Sequence, residues 1–288
     1  MEFDFTKMHG TGNDFIIMDF HSKTFPDGLD FNDMARKICD RHFGIGADGL
    51  ILILPSDKYD FNMRIFNANG SEAQMCGNGI RCLAKYAYEN KLTNKDVFSV
   101  ETLAGVIIPE LIFEEQKIGV IKGVRVDMGK PHLTKKDIPM IGNPDRQVIN
   151  EIISLGNGQY FRITCVSMGN PHCVIFTEDV DSCKVSEIGP IIENYHLFPE
   201  KTNVEFVQPL NDHEIKLRVW ERGVGETMAC GTGASAAVVA GVLNKRINNR
   251  AEVYLKGGNL QIEWVGGMEG HVFMTGPAIS VFSGIVSI

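Results

Sequence analysis

RVWERGVGETMACGTGA, residues 218–234, aligns without a gap to RIFNANGSEAQMCGNGI, residues 64–80. Five of the 17 positions are identical, whereas typical residue frequencies would give about one identity by chance. Each stretch has a cysteine directly before a glycine, and Cys76 and Cys230 lie 154 residues apart, close to half of the 288-residue chain. The match predicts a tandem duplication into two similar domains rather than an array of short repeats.

A weaker echo lies upstream of each cysteine. Asn13 lies 63 residues before Cys76, Asn170 lies 60 residues before Cys230, and each asparagine follows a glycine. The similar spacing supports the duplication and places both asparagines among the candidate functional residues.

The segments around each cysteine predict the same local structure. Runs typical of β-strands, residues 61–66 and 214–220, precede the two cysteines. The segment ASAAVVAGVL, residues 234–243, is apolar on all sides, so a helix there must be almost fully buried. After Cys76 the apolar residues recur with a helical period, at Ile80, Leu83, Ala84 and Ala87.

These elements predict an α+β fold in which each half contains a strand, a glycine loop, a cysteine and a central helix. We expect the first domain to span residues 1–131 and the second to span 132–276. Residues 277–288 have no counterpart at the end of the first half, and we expect them to return as a strand of the first domain's sheet. Residues 129–139, rich in turn-forming residues, are expected to link the halves.

Composition excludes several classes of partner. The net charge is −8 and no basic run is present, which disfavours nucleic acid and anionic membranes as partners. The first ten residues contain no apolar signal core, and nowhere are 18 consecutive residues apolar. We therefore expect a cytoplasmic protein.

The seven cysteines do not indicate a disulfide framework or a metal site. Their number is odd and none of them form a Cys-x-x-Cys pair. Cys39 and His42 have a ligand-like spacing, but no matching second pair accompanies them. No metal is expected.

A thiol at the start of a helix suggests a chemical role. The first N–H groups of a helix lack internal partners and favour an anion, and glycine lets a ligand approach them closely. A cysteine there can have its pKa lowered from about 8.5 towards neutrality. Two such thiols could remove a proton from one face of a carbon and return one to the other, which inverts a stereocentre. Their environments must then differ, and Asn67 does align with Glu221.

Over essentially its whole length the sequence resembles the diaminopimelate epimerase family. The resemblance is carried by the motifs HGTGNDF (9–15), RHFGIGADG (41–49), FNANGSEAQMCGNGIRC (66–82), SMGNPHCV (167–174), TNVEF (202–206) and WERGVGETMACGTGA (220–234). It implies two pseudo-symmetric domains, each a mixed β-sheet curled around a central helix. Some relatives carry glutamine where this chain has Gly49, so a side-chain contact with substrate is absent there.

The resemblance also implies an activity. The enzyme would interconvert LL- and meso-diaminopimelate without cofactor or metal, in lysine and peptidoglycan-precursor synthesis, with Cys76 and Cys230 as the acid and base. Its partner would be this small molecule, and a homodimer is compatible with the sequence. His172 and Glu221 would tune the thiols. The residues implied to bind substrate are Asn13, Asn67, Asn170, Asn203, Glu221 and Arg222, together with two carboxylate-binding nests, Gly77-Asn78 and Gly231-Thr232.

Taken by themselves, several of these residues allow a plainer interpretation. Asn13 and Asn203 are common turn residues, His172 could be a hydrogen-bonded core histidine, and Glu221 and Arg222 could be a solvated pair. GIGADG, residues 44–49, has the spacing of a dinucleotide fingerprint but lies between a helix-like stretch and a strand, the reverse of the required order.

Two other functions remain open on the residues alone. One is another isomerase of the same fold, such as a proline racemase-like enzyme, although the asparagines and Arg222 suit a substrate with a distal zwitterionic end. The other is a thiol redox protein or a non-catalytic amino-acid-binding module. A redox protein would normally place its cysteines two residues apart.

Overall fold

The chain forms two compact units in a computed structural model. The first unit comprises Met1–Asp127 and Thr275–Ile288, and the second comprises Met128–Met274. The structure describes residues 1–21, 28–156 and 158–288.

Strands dominate both units. In chain order the elements are β1 (Glu2–Gly10), β2 (Asn13–Asp19), α1 (Phe31–Ile38), β3 (Gly49–Leu54), β4 (Phe61–Asn67), β5 (Glu72–Ala73), α2 (Gly77–Glu89), β6 (Val100–Thr102), β7 (Gly105–Ile107), β8 (Glu110–Phe113), β9 (Ile121–Asp127), β10 (Glu151–Ser154), β11 (Tyr160–Ser167), β12 (Pro171–Phe176), α3 (Val185–Glu193), β13 (Asn203–Asn211), β14 (Glu214–Glu221), β15 (Gly225–Glu226), α4 (Gly231–Leu243), β16 (Arg250–Leu255), β17 (Gly258–Val265), β18 (His271–Gly276) and β19 (Ile279–Ser287).

The sheet of the first unit has the order β19-β1-β2-β3-β4-β6-β7, with β5 paired to β4. The C-terminal strand β19 pairs antiparallel with β1, whereas β2 and β3 run parallel. Helix α2 packs against β1, β2, β3 and the β8–β9 hairpin. The residues that carry the helical period, Ile80, Leu83, Ala84 and Ala87, are all fully buried on this helix.

Within the second unit, the strands of the sheet follow the order β10-β11-β12-β13-β14-β16-β17-β18, with β15 paired to β14. Helix α4 packs against six of these strands. Every residue from Gly233 to Gly241 is buried, because the helix carries no polar face to turn towards water. The mixed sheet around a central helix therefore occurs in both units, as expected for the duplicated α+β fold.

Residues 129–139 do not behave as a linker. His132 exchanges backbone hydrogen bonds with Ser167, and the side chain of Ile138 is fully buried. The segment is part of the second unit, because its backbone groups and apolar side chains find partners there. None of the helices in the described parts of the chain is long and apolar enough to span a bilayer.

Two buried thiols of the first unit predict a loss of stability at alkaline pH. Burial raises the pKa of Cys82 to about 12, and burial together with the negative charges of Asp14 and Asp48 raises that of Cys39 to about 12. Above the unfolded-state pKa, near 8.5, the unfolded chain loses these protons while the folded chain keeps them. The free energy of unfolding should then fall by about 1.4 kcal/mol per pH unit for each thiol.

Urea unfolding at intervals from pH 8 to pH 11 measures this slope. Cys82→Ala should unfold more easily at pH 8, because a buried atom is lost, yet show a shallower fall with pH. A variant slope equal to that of the parent would contradict the assignment to Cys82.

Candidate active site

Each unit begins its central helix in the same way. Cys76 is the N-cap of α2, with φ −143° and ψ 119°, and Cys230 is the N-cap of α4, with φ −129° and ψ 113°. A glycine is the first residue of each helix, so the unpartnered N–H groups of the first turn border each sulfur. The predicted helix starts at the two cysteines are confirmed.

An asparagine holds the first turn of each helix. In the first unit Asn78 Nδ2 donates to Asn13 Oδ1 at 3.0 Å. In the second unit Asn170 Nδ2 donates to Thr232 Oγ1 at 3.3 Å. Asn78 and Thr232 both lie two residues after their cysteine, so the upstream echo in the sequence corresponds to an equivalent contact within each unit.

Asn13 connects Cys76 to a carboxylate that the sequence did not single out. The Cys76 Sγ donates to Asn13 Oδ1 at 3.7 Å, and Asn13 Nδ2 donates to Asp48 Oδ2 at 2.8 Å. Because the amide N–H of Asn13 donates to Asp48, the amide oxygen of Asn13 faces the Cys76 sulfur. Asp48 lies within the RHFGIGADG motif, and this motif could have identified it as a site residue.

An ion network supports this arrangement. Arg41 donates at 2.7 Å to both Asp14 and Asp48, and Lys7 lies 2.9 Å from Asp14. Burial opposes ionisation of Asp14, but the hydrogen bonds from Arg41 and Lys7 outweigh it and lower its pKa. Asp14 therefore stays charged, and Arg41 joins it to Asp48, the acceptor of the Asn13 amide.

Arg81 brings a buried positive charge to the same helix. Its side chain is fully buried and donates to Thr11 Oγ1 at 3.2 Å, to the Pro277 carbonyl at 3.2 Å and to the Gly77 carbonyl at 3.4 Å. Burial lowers its pKa, while Coulomb interactions with Cys82 and Cys76 act in the opposite direction. Arg81 is thus a charged group that interacts electrostatically with the Cys76 end of the helix. Arg81 lies within the CGNGIRC segment, but it was not among the predicted site residues.

Cys230 has the opposite electrostatic environment. Burial raises its pKa well above the usual range, and the charges of Glu221 and Glu205 add to this effect. The Gly233 N–H and the Thr232 hydroxyl, each 3.4 Å from the sulfur, only partly offset it. The expectation that a helix start lowers the thiol pKa is therefore wrong for Cys230, because desolvation outweighs the two hydrogen bonds.

His172 lies in the core of the second unit beside Glu205. Both side chains are fully buried, and His172 Nδ1 is 2.7 Å from Glu205 Oε1. The other ring nitrogen, Nε2, is 2.9 Å from Asn170 Oδ1. Glu205 was not predicted as a site residue. Glu205 could have been identified from its place in the β-type run NVEFVQ, because the interior of a strand rarely buries a carboxylate.

Asn203 and Arg222 are linked to each other. Asn203 is buried, donates to the Pro171 carbonyl at 2.7 Å and accepts the Arg222 N–H at 2.9 Å. The guanidinium of Arg222 is exposed and donates to the Glu200 carbonyl at 3.0 Å. Asn203 thus has a structural role whatever else it binds, and Arg222 has an accessible charge.

The remaining residues lie near the two helix starts in sequence. Asn67 is exposed at the end of β4 and donates to Ser71 Oγ at 2.9 Å. Glu221 ends β14 and accepts a hydrogen bond from Thr227. Gly49 begins β3, and a Cβ there would lie 2.8 Å from the Phe66 carbonyl oxygen, so this backbone leaves no room for a side chain.

The described residues contain no grouping of three His, Cys, Asp or Glu side chains arranged as metal ligands. What they do provide is a thiol, an amide side chain and the first N–H groups of a helix at the same place in each unit. Such a set can bind a carboxylate and move a proton at a neighbouring carbon.

Solved structures of similar fold include two proteins with low sequence identity. A PhzF-family phenazine biosynthesis protein of Bacillus anthracis has a TM-score of 0.72 at 18% identity and covers 100% of both chains. A hydroxyproline epimerase of Agrobacterium vitis has a TM-score of 0.69 at 13% identity and covers 99% of this chain and 91% of its own. Together with the two sheets and their helices, they confirm the predicted duplicated α+β fold.

Sequence relatives are much more similar. The diaminopimelate epimerase of Pelotomaculum thermopropionicum is 59% identical over 281 residues, 97% of each chain. That of Moorella thermoacetica is 55% identical over 280 residues, 97% of this chain and 98% of its own. The family model for diaminopimelate epimerase matches residues 5–134 and 164–281. With the family matched over most of both units, the chain belongs to the diaminopimelate epimerases, isomerases that act on an amino acid.

Proposed function

We propose that the protein interconverts LL- and meso-diaminopimelate by moving the α-proton between two thiols, without a cofactor, in the synthesis of lysine and peptidoglycan precursors. The observation that carries this proposal is the cysteine-capped helix start, built in each unit with an asparagine bound to its first turn. A duplicated acid/base site is the arrangement that inversion at one carbon requires.

The thiols would act on opposite faces of the reacting carbon. A thiolate takes the α-proton, the electron pair left on carbon delocalises into the carboxylate, and the other thiol returns a proton to the far face. Helix N–H groups at Gly77-Asn78 and Gly231-Thr232 would stabilise the charge that grows on the carboxylate. After one turnover the protonation states of the thiols are exchanged, so the reverse reaction uses the same groups in opposite roles.

The charged groups beside the two thiols differ. Arg81 interacts electrostatically with Cys76, whereas burial and the charges of Glu221 and Glu205 raise the pKa of Cys230. Such a difference between the two sites suits a pair in which one thiol acts as the acid and the other as the base.

Relatives support the choice of diaminopimelate over proline as substrate. The proteins that are 59% and 55% identical to this chain are named diaminopimelate epimerase, whereas the hydroxyproline epimerase is only 13% identical. The exposed Arg222 and the amides of Asn67 and Asn203 would bind the end of the substrate away from the reacting carbon. A guanidinium suits a distal carboxylate because it donates two parallel hydrogen bonds.

An exchange assay tests the proposal. Chelator-treated protein in D₂O, with no added pyridoxal phosphate, should convert LL-diaminopimelate to the meso form, and the product should carry deuterium at the inverted carbon. Proline and hydroxyproline serve as the alternative substrates. Activity that depends on added metal or pyridoxal phosphate, or a preference for proline, would overturn the proposal.

A further inference from the structure

We propose that Glu205 is a positioning residue for Cys230: it holds His172 with a proton on Nε2 and thereby directs a chain of hydrogen bonds through Asn170 and Thr232 to the sulfur. This inference rests on the proposed function only for the role of Cys230 as acid and base.

The chain is continuous within the second unit. Glu205 Oε1 lies 2.7 Å from His172 Nδ1, and His172 Nε2 lies 2.9 Å from Asn170 Oδ1. Asn170 Nδ2 donates to Thr232 Oγ1 at 3.3 Å, and Thr232 Oγ1 lies 3.4 Å from Cys230 Sγ. Four contacts between side chains therefore connect Glu205 to the Cys230 sulfur, and a change at Glu205 can alter the last of them.

The proton count gives the chain a direction. An amide oxygen cannot donate, so the contact between His172 Nε2 and Asn170 Oδ1 requires a proton on Nε2. The contact between Nδ1 and Glu205 Oε1 then holds a second proton, carried either as imidazolium with carboxylate or as neutral imidazole with carboxylic acid. Both forms have the same net charge. In both, the amide N–H of Asn170 donates to the hydroxyl oxygen of Thr232, so the Thr232 O–H can donate to the Cys230 sulfur.

The surroundings of Glu205 favour keeping that second proton. Its other oxygen, Oε2, is buried without a hydrogen-bond partner among the described residues, which penalises a full negative charge. Burial raises the pKa of Glu205, and the charge of Glu221 adds to this, whereas His172 lowers it. The neighbouring thiols of Cys173 and Cys230 also interact with Glu205 and would disfavour its charge if they ionised.

Glycine at position 233 lets the carboxylate approach the helix. A Cβ at Gly233 would lie 3.0 Å from Glu205 Oε1 and 3.3 Å from Cys230 Sγ. Any side chain there would force one of these two groups to shift. The helix start is therefore packed directly against the carboxylate that orients His172.

The donor at the end of the chain matters when Cys230 carries negative charge. A hydroxyl proton pointing at sulfur stabilises the thiolate, which Cys230 must become when it acts as the base. If the pair of Glu205 and His172 loses a proton at high pH, Nε2 and Asn170 Oδ1 become two facing acceptors. The amide must then turn over, which breaks its bond to Thr232.

Two substitutions separate positioning from simple structural support. Glu205→Gln can donate an amide N–H to Nδ1 and so keeps the chain without a titratable group. It should retain most activity, because the proton on His172 Nε2 is kept. Glu205→Leu keeps the volume but removes the partner of Nδ1, and it should lower kcat by about 10- to 100-fold. Glu214→Gln, in the same unit but bonded to Tyr254 and Asn211, is the matched control.

A long-range ¹H–¹⁵N spectrum of the histidine rings gives a direct readout, with His172→Gln used to assign the signal. The parent and Glu205→Gln should show a proton on His172 Nε2, and Glu205→Leu should show mixed tautomers. Mixed tautomers in Glu205→Gln, or full activity in Glu205→Leu, would overturn the inference. Loss of the diaminopimelate activity itself in the parent would instead overturn the proposed function, and the tautomer measurement would still stand.

Discussion

Cys76→Ala is expected to lower kcat/KM for epimerisation of diaminopimelate by about 10²–10⁴-fold or more, the range for a lost general acid or base. Alanine leaves no proton carrier on one face of the reacting carbon. Initial rates with LL- and meso-diaminopimelate, over a range of concentrations, measure the loss in both directions. The equilibrium constant requires the two losses to be equal.

Cys82→Ala is the matched control. Cys82 lies on the same helix, six residues further along, and is fully buried. Its loss should change the rate little while lowering stability slightly. Equal losses from the two variants would mean that the substitutions damage folding rather than chemistry.

Cys230→Ala is expected to lower the rate of inversion about as much as Cys76→Ala does. It should still allow one stereoisomer of the substrate to exchange its α-proton with solvent. The remaining cysteine, Cys76, can in its thiolate form still take the α-proton that faces it, exchange it with solvent and return deuterium to the same face. Substrate of one configuration should therefore gain deuterium without changing configuration. Cys76→Ala should show the same behaviour with the opposite configuration.

Mass spectrometry combined with chiral separation of the recovered diaminopimelate distinguishes these outcomes. If both single variants exchange the same stereoisomer, the two thiols do not act on opposite faces. If either variant still inverts at the parent rate, that cysteine is not an acid/base group.

The environments of the two thiols were harder to predict than their positions. The internal match identified Cys76 and Cys230 because both the residues and their spacing are written in the chain. The internal match does not show the charged groups beside them. Glu205 lies on β13, a different element from Cys230, and Arg81 lies five residues after Cys76 on a helix that buries it. A sequence window shows neither the depth of burial nor the approach of a distant strand.

The pKa of Cys230 shows this limit most clearly. A cysteine before glycine at a helix start favours a lowered pKa, because local N–H groups stabilise the thiolate. The structure reverses the direction for Cys230 because the surrounding protein removes water and brings Glu221 and Glu205 near the sulfur. Desolvation depends on how the whole unit packs, so the residues adjacent to Cys230 in the sequence do not predict it.

What the sequence determined by itself was the periodic and repeated part of the molecule: the duplication, the strand before each cysteine, the helix after it and the family motifs. Hydrophobic period and glycine position act locally, so a short segment carries them. Only the tertiary structure decided that Asp48 orients Asn13, that Glu205 faces His172 and that residues 129–139 pack into the second unit. These contacts join residues up to 35 positions apart, and their strength depends on burial, which exists only once the strands and helices have packed.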